Sequence, residues 1–219
     1  KEKIFHPKTL DFYSINNEKI CDLDLTFLNS EKIKYTTMQR STLIEFLKDE
    51  IYTQHLRFGK RIKEVSELKG KVLIKFEDNT NDLVDYVIGA DGIFSNTKFF
   101  FEKKKISPKF QKALAVRLIL KSKPEIKINE ENINLLMGSN THLVLYPINK
   151  KNEINLTCVF RHNQLNPENI KSLIEKKVIN QNPLLKSLFN NEIKYWPLYS
   201  SKKNFIPLNK KVFYIGDAF

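Results

Sequence analysis

The chain is poor in the residues that break or staple structure. Its 219 residues include six glycines, eight prolines, two cysteines and one tryptophan. So little glycine and proline excludes a fibrous or low-complexity disordered chain. Cys21 and Cys158 stand alone and far apart, so they make no metal or redox spacing, and no metal site is expected. This cysteine usage fits a reducing, cytoplasmic compartment. No apolar run is long enough to cross a membrane as a helix. No signal peptide opens the sequence.

What is present is enough hydrophobic material, 41% of the residues, to bury a core in one large domain or two small ones. Lys and Arg number 37 against 25 Asp and Glu, a net charge of +12. A balance of that kind can mark a nucleic-acid or membrane-surface partner. Here the basic residues are mostly lysine and scattered. Lys103-Lys104-Lys105 is the dense run, with Lys202-Lys203 and Lys210-Lys211 as pairs. Abundant isoleucine, lysine and asparagine fit a compositional bias of the source equally well. The first residue is Lys1, and Phe219 follows directly on a strand-turn signal that ordinarily leads into a helix. The expectation is therefore an internal piece of a longer protein.

Apolar clusters from Leu10 to Leu28, with turns at Asn16-Asn17 and Asn29-Ser30, predict a β-hairpin. Thr42 and Glu45 have capping-box spacing, and Leu43, Phe46, Leu47 and Ile51 form a helical stripe. Arg40 precedes that helix. A β-meander follows: Ile62 to Leu68, a Lys69-Gly70 turn, then Val72 to Phe76 with Val72, Ile74 and Phe76 on one face. A turn at Asp78 to Asp82 leads to a strand over Val84 to Ile88. Further on, Ala113 to Leu120, Ile133 to Met137, His142 to Ile148 and Ile154 to Phe160 predict an antiparallel sheet. A helix is expected next, with Asn166 as N-cap, Pro167 in its first turn and Ile170, Leu173, Ile174 and Val178 as its buried stripe. A last strand covers Val212 to Ile215.

Two strand ends carry the functional signal. Val87-Ile88 runs into Gly89-Ala90-Asp91-Gly92, and Val212 to Ile215 runs into Gly216-Asp217-Ala218. Small residues let the backbone approach a ligand closely, and each turn leaves one carboxylate at a strand's carboxyl end.

With these motifs in order, the chain resembles the class A flavoprotein aromatic hydroxylases, the para-hydroxybenzoate and salicylate hydroxylase family. QRSTLIEFL resembles the family's Arg-x-x-Leu helix start, and VIGADGIFSNTK its Asp-Gly motif. THLVLYPINKKNEINLTCVF resembles the His-x-x-x-Tyr-Pro strand pair, and VFYIGDA the Gly-Asp motif that contacts the flavin ribose. The matches run from Arg40 to Ala218. The G-x-G-x-x-G turn that would hold the FAD pyrophosphate is not in this chain. The resemblance implies an α/β fold of mixed α+β character: a Rossmann-like FAD-binding domain, here incomplete, with an antiparallel β-sheet substrate domain. On that reading residues 1–110 belong to the FAD-binding domain, 111–205 to the substrate domain, and 206–219 form a return strand.

The resemblance also implies roles. Arg40 would bind FAD near the pyrophosphate, where a guanidinium fork suits the oxygens. Asp91 and Gly92 would lie at the pyrophosphate and NAD(P)H side of the cleft, and Gly216 and Asp217 at the flavin ribose. Each has a plainer alternative: a solvated arginine, an aspartate capping its own turn, a strand end. Ser95 serves equally as a helix N-cap, and Lys98 stands where the family usually has arginine. His142 and Tyr146 share a strand face and are the candidate catalytic pair, since a phenol substrate must lose or share a proton. From spacing alone they read as a surface histidine and a core-edge tyrosine. Arg117 is a substrate-side candidate, and Trp196 reads as packing.

The implied reaction uses FAD as cofactor and NADH or NADPH as co-substrate. Reduced flavin and O2 form a C4a-hydroperoxide that hydroxylates a small aromatic substrate, a phenol or aromatic acid. The protein supplies position, electrostatics and exclusion of water. A homodimer is compatible with this reading. The rivals are a ubiquinone-biosynthesis hydroxylase or another FAD oxidoreductase of the same superfamily and, in a different class, a basic nucleic-acid-binding protein. The aromatics cluster with aliphatics rather than with a focused basic face, so no nucleic acid is expected.

Overall fold

The computed structural model describes residues 3–29, 33–103, 107–121, 124–190, 192–201 and 210–219. Ser30, Lys104-Lys105, Lys202-Lys203 and residues 206–209, which figured in the expected turn, charge run, basic pair and return segment, lie outside the described residues. The chain divides into two compact units. One comprises Lys1–Glu50 and Lys112–Leu198, the other Ile51–Gln111 and Tyr199–Phe219. Among the described residues no helix is long and apolar enough to cross a membrane.

The chain opens with β1 (Ile4–Phe5), the hairpin β2 (Thr9–Ser14) and β3 (Lys19–Asp24), and the short β4 (Thr37–Met38). The hairpin is as expected, with Asn17 at φ 69° in its turn. Helix α1 covers Arg40–Asp49. Arg40 is its first residue rather than a residue before it. The Thr42–Glu45 capping box does not form: the N-cap is Gln39, whose extended backbone starts the helix without a side-chain hydrogen bond. Glu45 pairs instead with Lys3 Nζ at 3.1 Å. The apolar stripe is present, but α1 buries none of it, and Phe46 is 62% exposed.

The second unit begins with the meander β5 (Ile62–Leu68), β6 (Lys71–Phe76) and β7 (Asn81–Val84), then β8 (Val87–Gly89) and helix α2 (Asn96–Glu102). The strand expected over Val84 to Ile88 is two strands: β7 pairs with β6, whereas β8 joins a different sheet. A bend at Asp85-Tyr86 separates them. Val72, Ile74 and Phe76 share the buried face of β6 and pack with Val65.

The first unit resumes in β9 (Lys109–Leu120), β10 (Ile133–Gly138), β11 (Thr141–Pro147) and β12 (Ile154–Arg161). Helix α3 (Ile170–Lys177) follows. Its N-cap is Asn169, whose Oδ1 accepts from Ser172 N at 3.0 Å. The expected cap was Asn166. Either asparagine can chemically cap a helix, and the chain turns at the later one. The edge strand β13 (Lys194–Ser200) tolerates Pro197 because an edge leaves backbone groups unpaired. The last strand is β14 (Val212–Tyr214).

Seven strands form one sheet in the order β13-β9-β12-β11-β10-β2-β3. Its pairs β9–β12, β12–β11, β11–β10 and β2–β3 are antiparallel, as expected for this region, but β10 and β2 are parallel. That pairing carries the N-terminal hairpin into the same sheet as β9 to β12. It departs from the expected division, which grouped residues 1–110 together. Alternation along the strands gives the sheet one apolar face. Leu114, Val116 and Leu118 of β9, Leu143 and Leu145 of β11, and Leu156, Cys158 and Phe160 of β12 are all buried. Each fully buried side chain of this size contributes roughly 1.5–3 kcal/mol of transfer free energy. Ile174 and Val178, expected on the α3 stripe, are buried too.

Candidate functional site

The face of the seven-stranded sheet opposite its core carries the polar residues. Arg117 pairs with Thr157, Thr157 with Val144, and Asn155 with Tyr146. Because side chains alternate, Arg117, Ile119, Asn155, Thr157, His142, Val144 and Tyr146 all leave the sheet on that side. A cavity of about 720 Å³ lies there. The sheet contributes Arg117, Tyr146, Asn155 and Thr157, and the start of α1 contributes Arg40, Ser41 and Leu43. Glu192 and Lys194, at the edge strand, complete its charged lining.

The structure thus brings together three residues singled out in the sequence: Arg40, Arg117 and Tyr146. His142 shares their side of the sheet and is exposed, but it is not among the residues lining the cavity. Burial pushes the Tyr146 phenol above its ordinary pKa, and the Arg117 charge pulls the other way. The Arg117 guanidinium also lies 5.6 Å from the centre of the Trp196 ring. Asn155, Thr157, Glu192 and Lys194 were not anticipated. For Asn155 and Thr157 a signal existed: they are the polar positions alternating with Ile154, Leu156 and Cys158 in INLTCVF.

The two Gly-Asp turns lie in the second unit. Strands β8 and β14 pair in parallel, with Val87 beside Val212, Ile88 beside Phe213 and Gly89 beside Tyr214. Ile215 N continues the ladder to Gly89 O at 3.0 Å. Both turns therefore leave the carboxyl ends of adjacent parallel strands, the position where open α/β sheets bind ligands. Gly92 at φ 79° and Gly216 at φ 59° use a backbone region that favours glycine, and no atom lies within 4 Å of where a Cβ would stand.

The two carboxylates differ in their surroundings. Asp91 is engaged within its own turn: Ser95 Oγ donates to it at 2.5 Å, Thr97 N at 2.9 Å and Thr97 Oγ1 at 3.0 Å. Burial opposes its ionisation, but these hydrogen bonds outweigh burial and hold the carboxyl below its usual range. Asp217 is exposed, and its side chain forms no hydrogen bond or ion pair among the described residues. Ser95 caps α2, accepting from Lys98 N. Lys98 is buried: its Nζ donates to Phe219 O at 2.7 Å and lies 5.6 Å from the Tyr214 ring centre. Burial lowers its pKa, against the nearby Asp91 and Glu102 charges. Tyr214 in turn donates to Glu102 Oε1 at 3.2 Å.

No family model matches the chain. It is 24% identical over 200 residues to the FAD-dependent monooxygenase eupB of Phoma sp, covering 82% of this chain and 45% of that protein. Its fold superposes on Klebsiella pneumoniae HpxO complexed with FAD and uric acid, with a TM-score of 0.81 at 13% identity over 99% of this chain and 58% of that one. The chain has the fold of the class A FAD-dependent aromatic hydroxylases. A salicylate hydroxylase substrate complex agrees, with a TM-score of 0.75 at 15% identity over 98% of this chain and 59% of that one. The chain spans about half the length of the relatives it matches. The fold of this chain is mixed α/β, as the motifs implied.

Proposed function

We propose that this chain is the central part of an FAD-dependent monooxygenase that hydroxylates an aromatic substrate, a phenol or aromatic acid, using NAD(P)H and O2. The observation that carries the reading is the parallel pair β8–β14, which sets two Gly-Asp turns at adjacent strand ends. Similarity to an FAD-dependent monooxygenase over 82% of the chain supports it. When bound, FAD would supply the redox chemistry, taking electrons from NAD(P)H and passing one oxygen atom of O2 to the ring.

The residues present fit that cofactor's sugar side. Asp217, exposed and without a partner among the described residues, is suited to accept hydrogen bonds from ribose or ribityl hydroxyls, with Gly216 leaving room beside it. Asp91 and Gly92 would shape the neighbouring turn. The Asp91 carboxylate oxygens already take hydrogen bonds from Ser95 and Thr97, so its contribution would be to hold the backbone in place. Arg40 offers a guanidinium to the diphosphate. On the substrate side, Tyr146 is the phenol that would hold or share a proton of the bound ring, and Arg117 is the charge that tunes it. His142, further along the same strand face, would be the second member of the catalytic pair. The cysteine usage supports a cytoplasmic setting.

The test is the visible absorbance of the full protein carrying this chain, purified without added cofactor. A flavin spectrum, with NAD(P)H oxidation stimulated by phenols or aromatic acids, is expected. In the same protein Asp217→Ala should weaken FAD binding more than tenfold by flavin fluorescence titration. A colourless protein that takes up no added FAD refutes the proposal.

A further inference from the structure

Trp196 is the sole tryptophan of the chain, and it is 46% exposed. It does not line the cavity, but it stands on β13 two positions after Lys194, which does, so both leave the edge strand on the same side. Strand β13 neighbours β9, which carries Arg117. An arginine on an open sheet face has many rotamers to lose, and no carboxylate restrains this one by an ion pair among the described residues. The indole does so instead, with the guanidinium carbon 5.6 Å from the ring centre. A guanidinium over an aromatic face is attracted by the ring quadrupole and stays charged and able to donate at its edge. Leaving aside Arg40, which the proposed function assigns to the cofactor, the lining sets Arg117 and Lys194 against one carboxylate, Glu192.

We propose that Trp196 is a positioning residue that holds the Arg117 guanidinium at the cavity and thereby makes the cavity prefer an anionic aromatic ligand to its neutral counterpart. The assignment deepens the proposed function and rests on this cavity being the substrate site. Trp196 would touch neither ligand nor cofactor. It acts through Arg117 by limiting where the charge can go, so its effect must vanish when Arg117 is gone.

The test is calorimetric titration of the full protein with benzoate and with benzamide, which differ in charge but hardly in shape. Wild type should prefer benzoate. Trp196→Leu should weaken benzoate about tenfold, the scale of a partly desolvated cation–π contact, and leave benzamide unchanged. Trp196→Phe should restore most of the loss. In an Arg117→Gln background, Trp196→Leu should have no further effect. Equal losses for both ligands, effects that add to those of Arg117→Gln, or a wild type without preference for benzoate would overturn the proposal. Flavin content is read on the same samples. A flavin-bound protein lacking the Trp196 effect refutes this inference alone, whereas a wild type unable to bind flavin refutes the proposed function.

Discussion

Gly89 lies directly beside Tyr214 in the parallel pair, so close that a Cβ on residue 89 would stand 2.9 Å from Tyr214 Cδ1 and 3.1 Å from Thr97 Cγ2. The first Gly-Asp motif thus opens with a glycine required by packing, while its second glycine, Gly92, is required by backbone conformation. Gly89→Ala should destabilise the protein by about 1–3 kcal/mol through overpacking. Gly92→Ala meets no atom but must adopt φ near 79°, a strain of about 1 kcal/mol. Thermal unfolding of the two variants checks the order. A Gly89→Ala protein as stable as wild type would contradict the close strand contact.

Asp91 gives the fold an acid-sensitive contact. Its folded pKa lies below its unfolded value, because the Ser95 and Thr97 hydrogen bonds overcome the effect of burial. A depressed carboxyl pKa contributes stability that is present above the unfolded pKa, about 3.9, and lost as pH falls through the folded value. Asp91→Asn should therefore be less stable than wild type at neutral pH. The gap should close as pH is lowered below about 4. Urea unfolding at a series of pH values reads this directly, and a pH-independent gap would assign the loss to packing instead.

Tyr146 should separate cofactor binding from chemistry. Its phenol is half-buried beside Arg117, and nothing places it in the unit that carries the Gly-Asp turns. If the proposed function holds, Tyr146→Phe in the full protein should retain FAD and slow hydroxylation by about 10²-fold or more, the usual scale for a lost acid–base group. Burial raises the phenol's pKa and Arg117 lowers it. Arg117→Gln should therefore move the alkaline limb of the rate profile to higher pH. Loss of flavin in Tyr146→Phe would show that the cavity and the cofactor site are not separable in this way.

The two thiols should react on different timescales. Cys21 is exposed on an edge strand, whereas Cys158 is buried in the sheet core. Burial pushes the Cys158 thiol up to about 12, partly offset by the Thr141 hydroxyl. The thiolate is the reactive species. Iodoacetamide should label Cys21 in the native protein and reach Cys158 only in denaturant, as peptide mapping by mass spectrometry would show. Rapid native labelling of Cys158 would mean the sheet opens locally.

Strands, turns and their apolar faces were legible in the sequence because they depend on neighbours along the chain. Alternation in ALAVRLIL, THLVLYP and INLTCVF fixed which residues face the core, and the small residues after Ile88 and Ile215 marked the two special turns. Helix starts were less legible. Capping chemistry favours Thr42, yet α1 starts after Gln39 with no side-chain cap, and it suits Asn166 as well as Asn169; in both helices the path of the backbone decides. Only the tertiary structure decided what lies beside what. It paired β2 with β10, and so moved the hairpin into the large sheet. It set β8 against β14, and so put two distant turns side by side. It gathered Arg40, Arg117, Tyr146 and Lys194 around one cavity from four separate segments. A strand's own residues specify its two faces, but its partner is chosen by the burial and hydrogen bonds that the whole chain can satisfy at once, and that information is not local.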